Sequence, residues 1–140
     1  MQLVLLTAND VTELWPVLEP ILEASCASNE ISAGDITATD IYLLAQTEMC
    51  GIFAAMEGKD VVCVAAVQFH EVNGKKGADV IAMGGRHLIA VKSRFWQPII
   101  DWVKSNGAEF IDAYANPRLA NIYLKKFGFS KSCYHVRMML

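Results

Sequence analysis

Several things are missing from this chain, and each absence removes a class of function. No stretch approaches the roughly 18 consecutive apolar residues of a membrane-crossing helix. The start, Met-Gln-Leu-Val-Leu-Leu-Thr, lacks the charged region and cleavage site of a secretory signal, so a soluble, cytoplasmic protein with no membrane partner is expected. Basic charge is short as well: 12 Lys and Arg against 15 Asp and Glu leave a net charge of −3, which argues against a nucleic-acid partner. No C-x-x-C pair occurs among Cys26, Cys50, Cys63 and Cys133. Three of these lie among apolar neighbours, which suits reduced, buried thiols rather than a disulfide framework or a zinc site. His70, His87 and His135 show no ligand spacing, and no metal is expected.

What is present is apolar material in ordered blocks. The hydrophobic share is 54% and the charged share 19% over 140 residues, enough for one core and one domain, residues 1–140. Gln2 to Leu6 reads as a short strand. A helix follows from Asp10, with Asp10 and Glu13 as its capping box and Val11, Leu14, Trp15, Leu18, Ile21 and Leu22 at helical spacing. Pro16 and Pro20 imply either a kink or a restart. Ser28 to Thr37 reads as a loop, and residues 38–49 as a helix with Ile41, Leu44, Ala45 and Met49 on one side, ended by Gly51.

The period then changes. Ile52 to Met56, Val61 to Val72 and Ala78 to Met83, separated by "EGKD" and "NGKKG", predict three antiparallel strands. Gly84-Gly85 breaks the third. Phe95, Trp96, Ile99, Ile100 and Val103 mark a long helix capped by Asn106-Gly107. Glu109 to Ala115 is a further strand, stopped by Asn116-Pro117. A helix burying Leu119, Ile122, Tyr123 and Phe127 then runs to Gly128, and Cys133 to Leu140 reads as a final strand. The fold class is α+β, a mixed, mostly antiparallel central sheet with helices on both faces.

This order of elements, and above all "SNGA", "EFIDAYAN" and "PRLANIYLKKFGFS" in the last third, resembles the GNAT family of N-acetyltransferases. The resemblance implies acetyl-CoA or another acyl-CoA held where the fourth and fifth strands splay apart, its pantetheine amides pairing with exposed backbone and its pyrophosphate resting on the amides that start the next helix. It assigns cofactor contacts to Ala82, Met83, Gly84, Arg86, Lys92, Arg94 and Asn116, and the general acid to Tyr123.

Two features depart from the family pattern. Where the family has Q/R-x-x-G-x-G/A around the pyrophosphate, this chain has "GGRHLIAVKSRF", with its glycines too early and Leu88, Ile89, Ala90 and Val91 before the helix; Arg86, Lys92 and Arg94 offer side-chain charge instead. Counted back from Gly128, Tyr123 stands one residue further away than the family's tyrosine, and about 100° of helical rotation turns it from a catalytic direction toward packing. By the same count the family's asparagine falls on Pro117, with Asn116 one step off.

Candidates for a general base are His70, Glu71 and Asp79 near the hairpin and Glu48 at a helix end, each with a surface-polar alternative. Cys133 and His135 share a face but are spaced too widely for a Cys-His nucleophile. Two readings therefore stand. One is an acyl-CoA-dependent N-acyltransferase acting on a small-molecule or protein amine. The other is a non-catalytic GNAT-like assembly component with protein partners or as a homo-oligomer. It rests on similarity to small phage-encoded proteins of this type, among them internal virion proteins, and would place the chain in a virion.

Overall fold

A computed structural model describes residues 1–27 and 35–140 of the chain; most of the expected loop from Ser28 lies outside the described residues. Its elements are β1 (Gln2–Leu5), α1 (Ala8–Cys26), α2 (Ala38–Gln46), β2 (Cys50–Glu57), β3 (Asp60–Val72), β4 (Lys75–Gly85), α3 (Leu88–Ser105), β5 (Phe110–Ala113) and α4 (Pro117–Lys126). The strands lie in sequence order in one sheet. β1 to β4 pair antiparallel, with α1 and α2 between β1 and β2 and tight turns joining β2 to β3 and β3 to β4, while β5 joins β4 in parallel after the α3 crossover.

The helices start on local chemistry. Thr7 and Asp10 cap α1 reciprocally, with Asp10 N–H on Thr7 Oγ1 at 3.1 Å and Thr7 N–H on Asp10 Oδ2 at 2.9 Å. The capping box thus sits three residues earlier than the Asp10–Glu13 pairing expected from sequence. Thr37 and Asp40 repeat the device at α2. α1 runs unbroken through Pro16 and Pro20. Both are exposed and four apart, as is Thr12, so the carbonyls that lose an N–H partner lie on the solvent side of the helix. α2 stops at Gln46 rather than at residue 49. Met49 N–H bonds Leu44 O and Glu48 N–H bonds Ala45 O, a Schellman closure with Glu48 at φ 59° in the position glycine usually takes. Met49 is consequently exposed, and Gly51 falls inside β2.

Two apolar layers flank the sheet. α1 and α2 lay Val11, Leu18, Leu22, Ile41 and Ala45 against Ile52, Ala54, Val64, Ala66 and Ala82. α3 and α4 lay Trp96, Ile99, Val103, Tyr123 and Phe127 against Phe53, Ala65, Val67, Ala78, Val80 and Met83. Trp96 Nε1 donates to Phe127 O at 3.1 Å in the interior, tying α3 to the end of α4. Cys50 and Cys63 are buried thiols, pushed up to about 11 by desolvation, while Cys133 is exposed.

The final strand expected over Cys133 to Leu140 does not form; these residues carry no strand pairing and are exposed. A β-prone pattern becomes a strand only where a partner edge is in reach. Arg137 instead makes a two-pronged pair with Asp35, and Lys131 holds Tyr134 through its hydroxyl.

Candidate functional site

β4 and β5 pair only from Gly77 opposite Phe110 to Val80 opposite Ala113; past that point they part. Which backbone groups of β4 are then left facing the gap follows from its pairing with β3. Arg86 N–H donates to Val62 O at 2.7 Å, and in an antiparallel ladder the bonded positions alternate. Gly84 opposite Val64 and Ala82 opposite Ala66 therefore direct their amides at β3. Met83 and Gly85 direct theirs outward, into the gap.

Met83 is thus the central residue of the splayed edge. Its outward N–H donates to Ser25 Oγ at 3.1 Å, and the same hydroxyl donates to Met83 O at 3.2 Å. Its side chain turns to the opposite face of the sheet, where the Tyr123 hydroxyl meets the thioether sulfur at 3.9 Å. Tyr123 is 4% exposed and packs edge-on against Phe127 and at a tilt against Phe129. Burial, with Cys63 nearby adding to it, pushes its phenol well above the ordinary value.

The double glycine closes the turn instead of opening it. Gly85 has φ 118°, and a Cβ there would stand 2.4 Å from Val62 O, so only glycine lets β4 approach β3 this closely. α3 starts directly afterwards, on His87 at φ 56° with no side-chain cap and no acid in the first turn. Leu88, Ile89, Ala90 and Val91 are its first turn, not a preceding loop. Arg86 pairs with Asp60, Arg94 lies over the Phe95 ring, and Lys92 is half-buried. Asn116 caps α4, its Oδ1 accepting from Leu119 N–H at 2.9 Å. Of the residues assigned from sequence, the fold gathers Ala82, Met83 and Gly84 at the splay and sets Arg86, Lys92 and Arg94 around the α3 start.

One cluster was not legible as a unit. Ala78 and Val80, Phe69, and Ile111 and Ala113 all face α3 and α4, so Asp79, His70 and Asp112 face the α1 and α2 side together. His70 Nδ1 lies 3.0 Å from Asp79 Oδ2 and Nε2 lies 3.9 Å from Asp112 Oδ2. Nδ1 is buried and makes no directed hydrogen bond, so the first contact is electrostatic. Burial pushes the Asp79 carboxyl up, His70 offsets part of this, and Asp112 adds to it. The three groups hold potential metal-ligand atoms within 4.8 Å of one another, but the ring presents a different nitrogen to each carboxylate. That is the geometry of an imidazole between two acids rather than of three ligands on one point. Glu71 is exposed on the rim and Glu48 closes α2.

No family model matches the sequence, and no curated protein matches it. Solved structures do. A probable acetyltransferase superposes with a TM-score of 0.71 at 11% identity, covering 100% of this chain and 97% of that one. An aminoglycoside acetyltransferase from an uncultured soil metagenomic sample, in complex with trehalose, gives 0.69 at 12%, over 99% and 95%. The ribosomal-protein-alanine N-acetyltransferase of Brucella melitensis biovar Abortus 2308 gives 0.67 at 14%, over 99% and 100%. The chain has the GNAT acetyltransferase fold.

Proposed function

We propose that the protein is an acyl-CoA-dependent N-acyltransferase whose acceptor is a primary amine. The observation that carries this reading is the placement of His70, Asp79 and Asp112. Asp79 and Asp112 are partners one position before β4 and β5 part, so a proton-accepting cluster lies at the mouth of the gap.

The residues present fit the pantetheine arm better than the phosphates. The outward groups of Met83 and Gly85 are the kind of partners secondary amides need. At the α3 start, the amides of Leu88, Ile89 and Ala90 lack helical partners, as first-turn amides do, with Lys92 and Arg94 nearby; these would take the pyrophosphate. The glycine wrap is replaced by the closed turn at Gly85. Acyl-CoA supplies the acyl group as an activated thioester. The chain's own work is to orient the acceptor on the α1 and α2 side and to take its proton at His70, with Asp79 and Asp112 stabilising the imidazolium that results. Tyr123 serves as packing, since its hydroxyl meets a thioether and no other hydrogen-bond partner among the described residues. Two similar structures are named for opposite acceptor classes, an aminoglycoside and a protein alanine, so either a small or a protein-borne amine suits this reading.

A second reading, a non-catalytic GNAT-like assembly component such as a virion part, is favoured by one observation: the Met83 backbone is already satisfied by Ser25. Calorimetric titration with acetyl-CoA and CoA separates the two. Saturable micromolar binding supports the transferase, whereas no binding at millimolar cofactor, with stable oligomers or incorporation into a particle, supports the assembly role.

A further inference from the structure

We propose that Ser25 is a built-in competitor for the cofactor edge, setting how tightly this chain accepts an amide-bearing ligand; the proposal rests on the acyltransferase reading above. A secondary amide brings one donor and one acceptor. The Ser25 hydroxyl brings the same pair and uses both on Met83, accepting at 3.1 Å and donating at 3.2 Å. It therefore stands in for the ligand amide that the parted strand edge would otherwise require.

Ser25 is not on a loose segment. It lies in the last turn of α1, and α1 is pressed onto β4: a Cβ at Gly84 would meet Ile21 O at 3.4 Å and Ser25 Cβ at 3.7 Å. The helix is anchored by Leu18 and Leu22, both fully buried. An open groove of about 460 Å³ runs alongside, lined by Pro20, Ile21, Ala24, Ser25, Met83, Gly84 and Gly85. A ligand chain laid in this groove reaches Met83 only by displacing the hydroxyl, and Ser25 then rotates toward solvent while α1 stays in place.

The test compares wild type with Ser25→Ala and Ser25→Thr. Backbone amide exchange at Met83, read without ligand, should accelerate about tenfold in Ser25→Ala and stay slow in Ser25→Thr, because threonine keeps the hydroxyl. CoA should bind Ser25→Ala roughly three- to tenfold more tightly than wild type by calorimetry, the range that one or two displaced hydrogen bonds imply. Unchanged or weaker CoA binding in Ser25→Ala, with wild type binding measurably, overturns the competitor role alone. No binding of CoA to any form overturns the acyltransferase reading and this role with it. If Ser25→Ala folds poorly, Ser25→Cys, a far weaker donor, gives the same comparison.

Discussion

The imidazole of His70 lies 3.0 Å from the carboxylate of Asp79, across the β3–β4 pairing and one position before β4 loses β5. Asp112 is held on the other side of the ring. The influences on Asp79 then have opposite signs. In a carboxyl-resolved NMR titration, His70→Asn should move the Asp79 pKa further up, because it removes the cation that lowers it. Asp112→Asn should move it down. The reverse order would show that the cluster is not electrostatically coupled as the geometry states.

Stability should follow the same proton. The folded form holds the Asp79 proton more tightly than the unfolded chain does, since the folded pKa is raised above the ordinary 3.8. Ionising Asp79 therefore weakens the fold, and its contribution declines as pH rises from about 3.8 through the raised value. Asp79→Asn removes this slope. Urea denaturation across that window should show wild type losing stability relative to the variant as pH rises, with no further change above the window.

Under the proposed transferase role, this cluster is required for turnover and not for cofactor binding. His70→Gln should lower kcat about 100-fold or more with acetyl-CoA and a primary amine, the usual scale for losing a general base, while CoA affinity stays within about twofold. A wild-type rate in His70→Gln would move the base elsewhere.

Much of the fold could be read from spacing. The valine-rich run at Val61 to Val72 buries both faces along Val61 to Val67, the helical recurrence of Phe95, Trp96, Ile99 and Val103 buries one, and each formed the element expected of it. Cys133 to Leu140 has an equally suggestive pattern, yet it pairs with no strand of the sheet, and its Arg137 meets Asp35, a long-range contact that local pattern does not contain. The site was less legible for the same reason. His70 and Asp79 could be noticed singly, but Asp112 joins them only through the parallel β4–β5 register. Likewise Ser25 meets Met83 only because α1 crosses the end of β4.

The packing role of Tyr123 has a direct test. Its hydroxyl donates to a thioether at 3.9 Å, and a thioether is a weak acceptor, so removing the oxygen strands no partner. Tyr123→Phe should change stability by less than about 1 kcal/mol and leave turnover near wild type. Tyr123→Ala should cost about 3–5 kcal/mol, as for other large buried aromatics. Chemical denaturation of both, with an acetyl-transfer assay on Tyr123→Phe, checks the pair. A hundredfold loss of rate in a well-folded Tyr123→Phe would make the tyrosine catalytic.

Gly77 links the fold to the cluster. A Cβ there would stand 2.3 Å from a ring carbon of Phe110, whose ring also packs edge-on against His70 at 5.5 Å between centroids. Both flank the β4–β5 pairing that brings Asp112 into place. Gly77→Ala must displace the ring, so a loss of about 1–3 kcal/mol is expected, the range for overpacking. If the clash with Phe110 is the cause, the effect should shrink in a Phe110→Ala background, giving a coupling of about 0.5 kcal/mol or more in a double-mutant cycle. The backbone φ of Gly77 is not in the left-handed region, so strain of the main chain does not compete as an explanation. Strict additivity would place the origin of the loss away from Phe110.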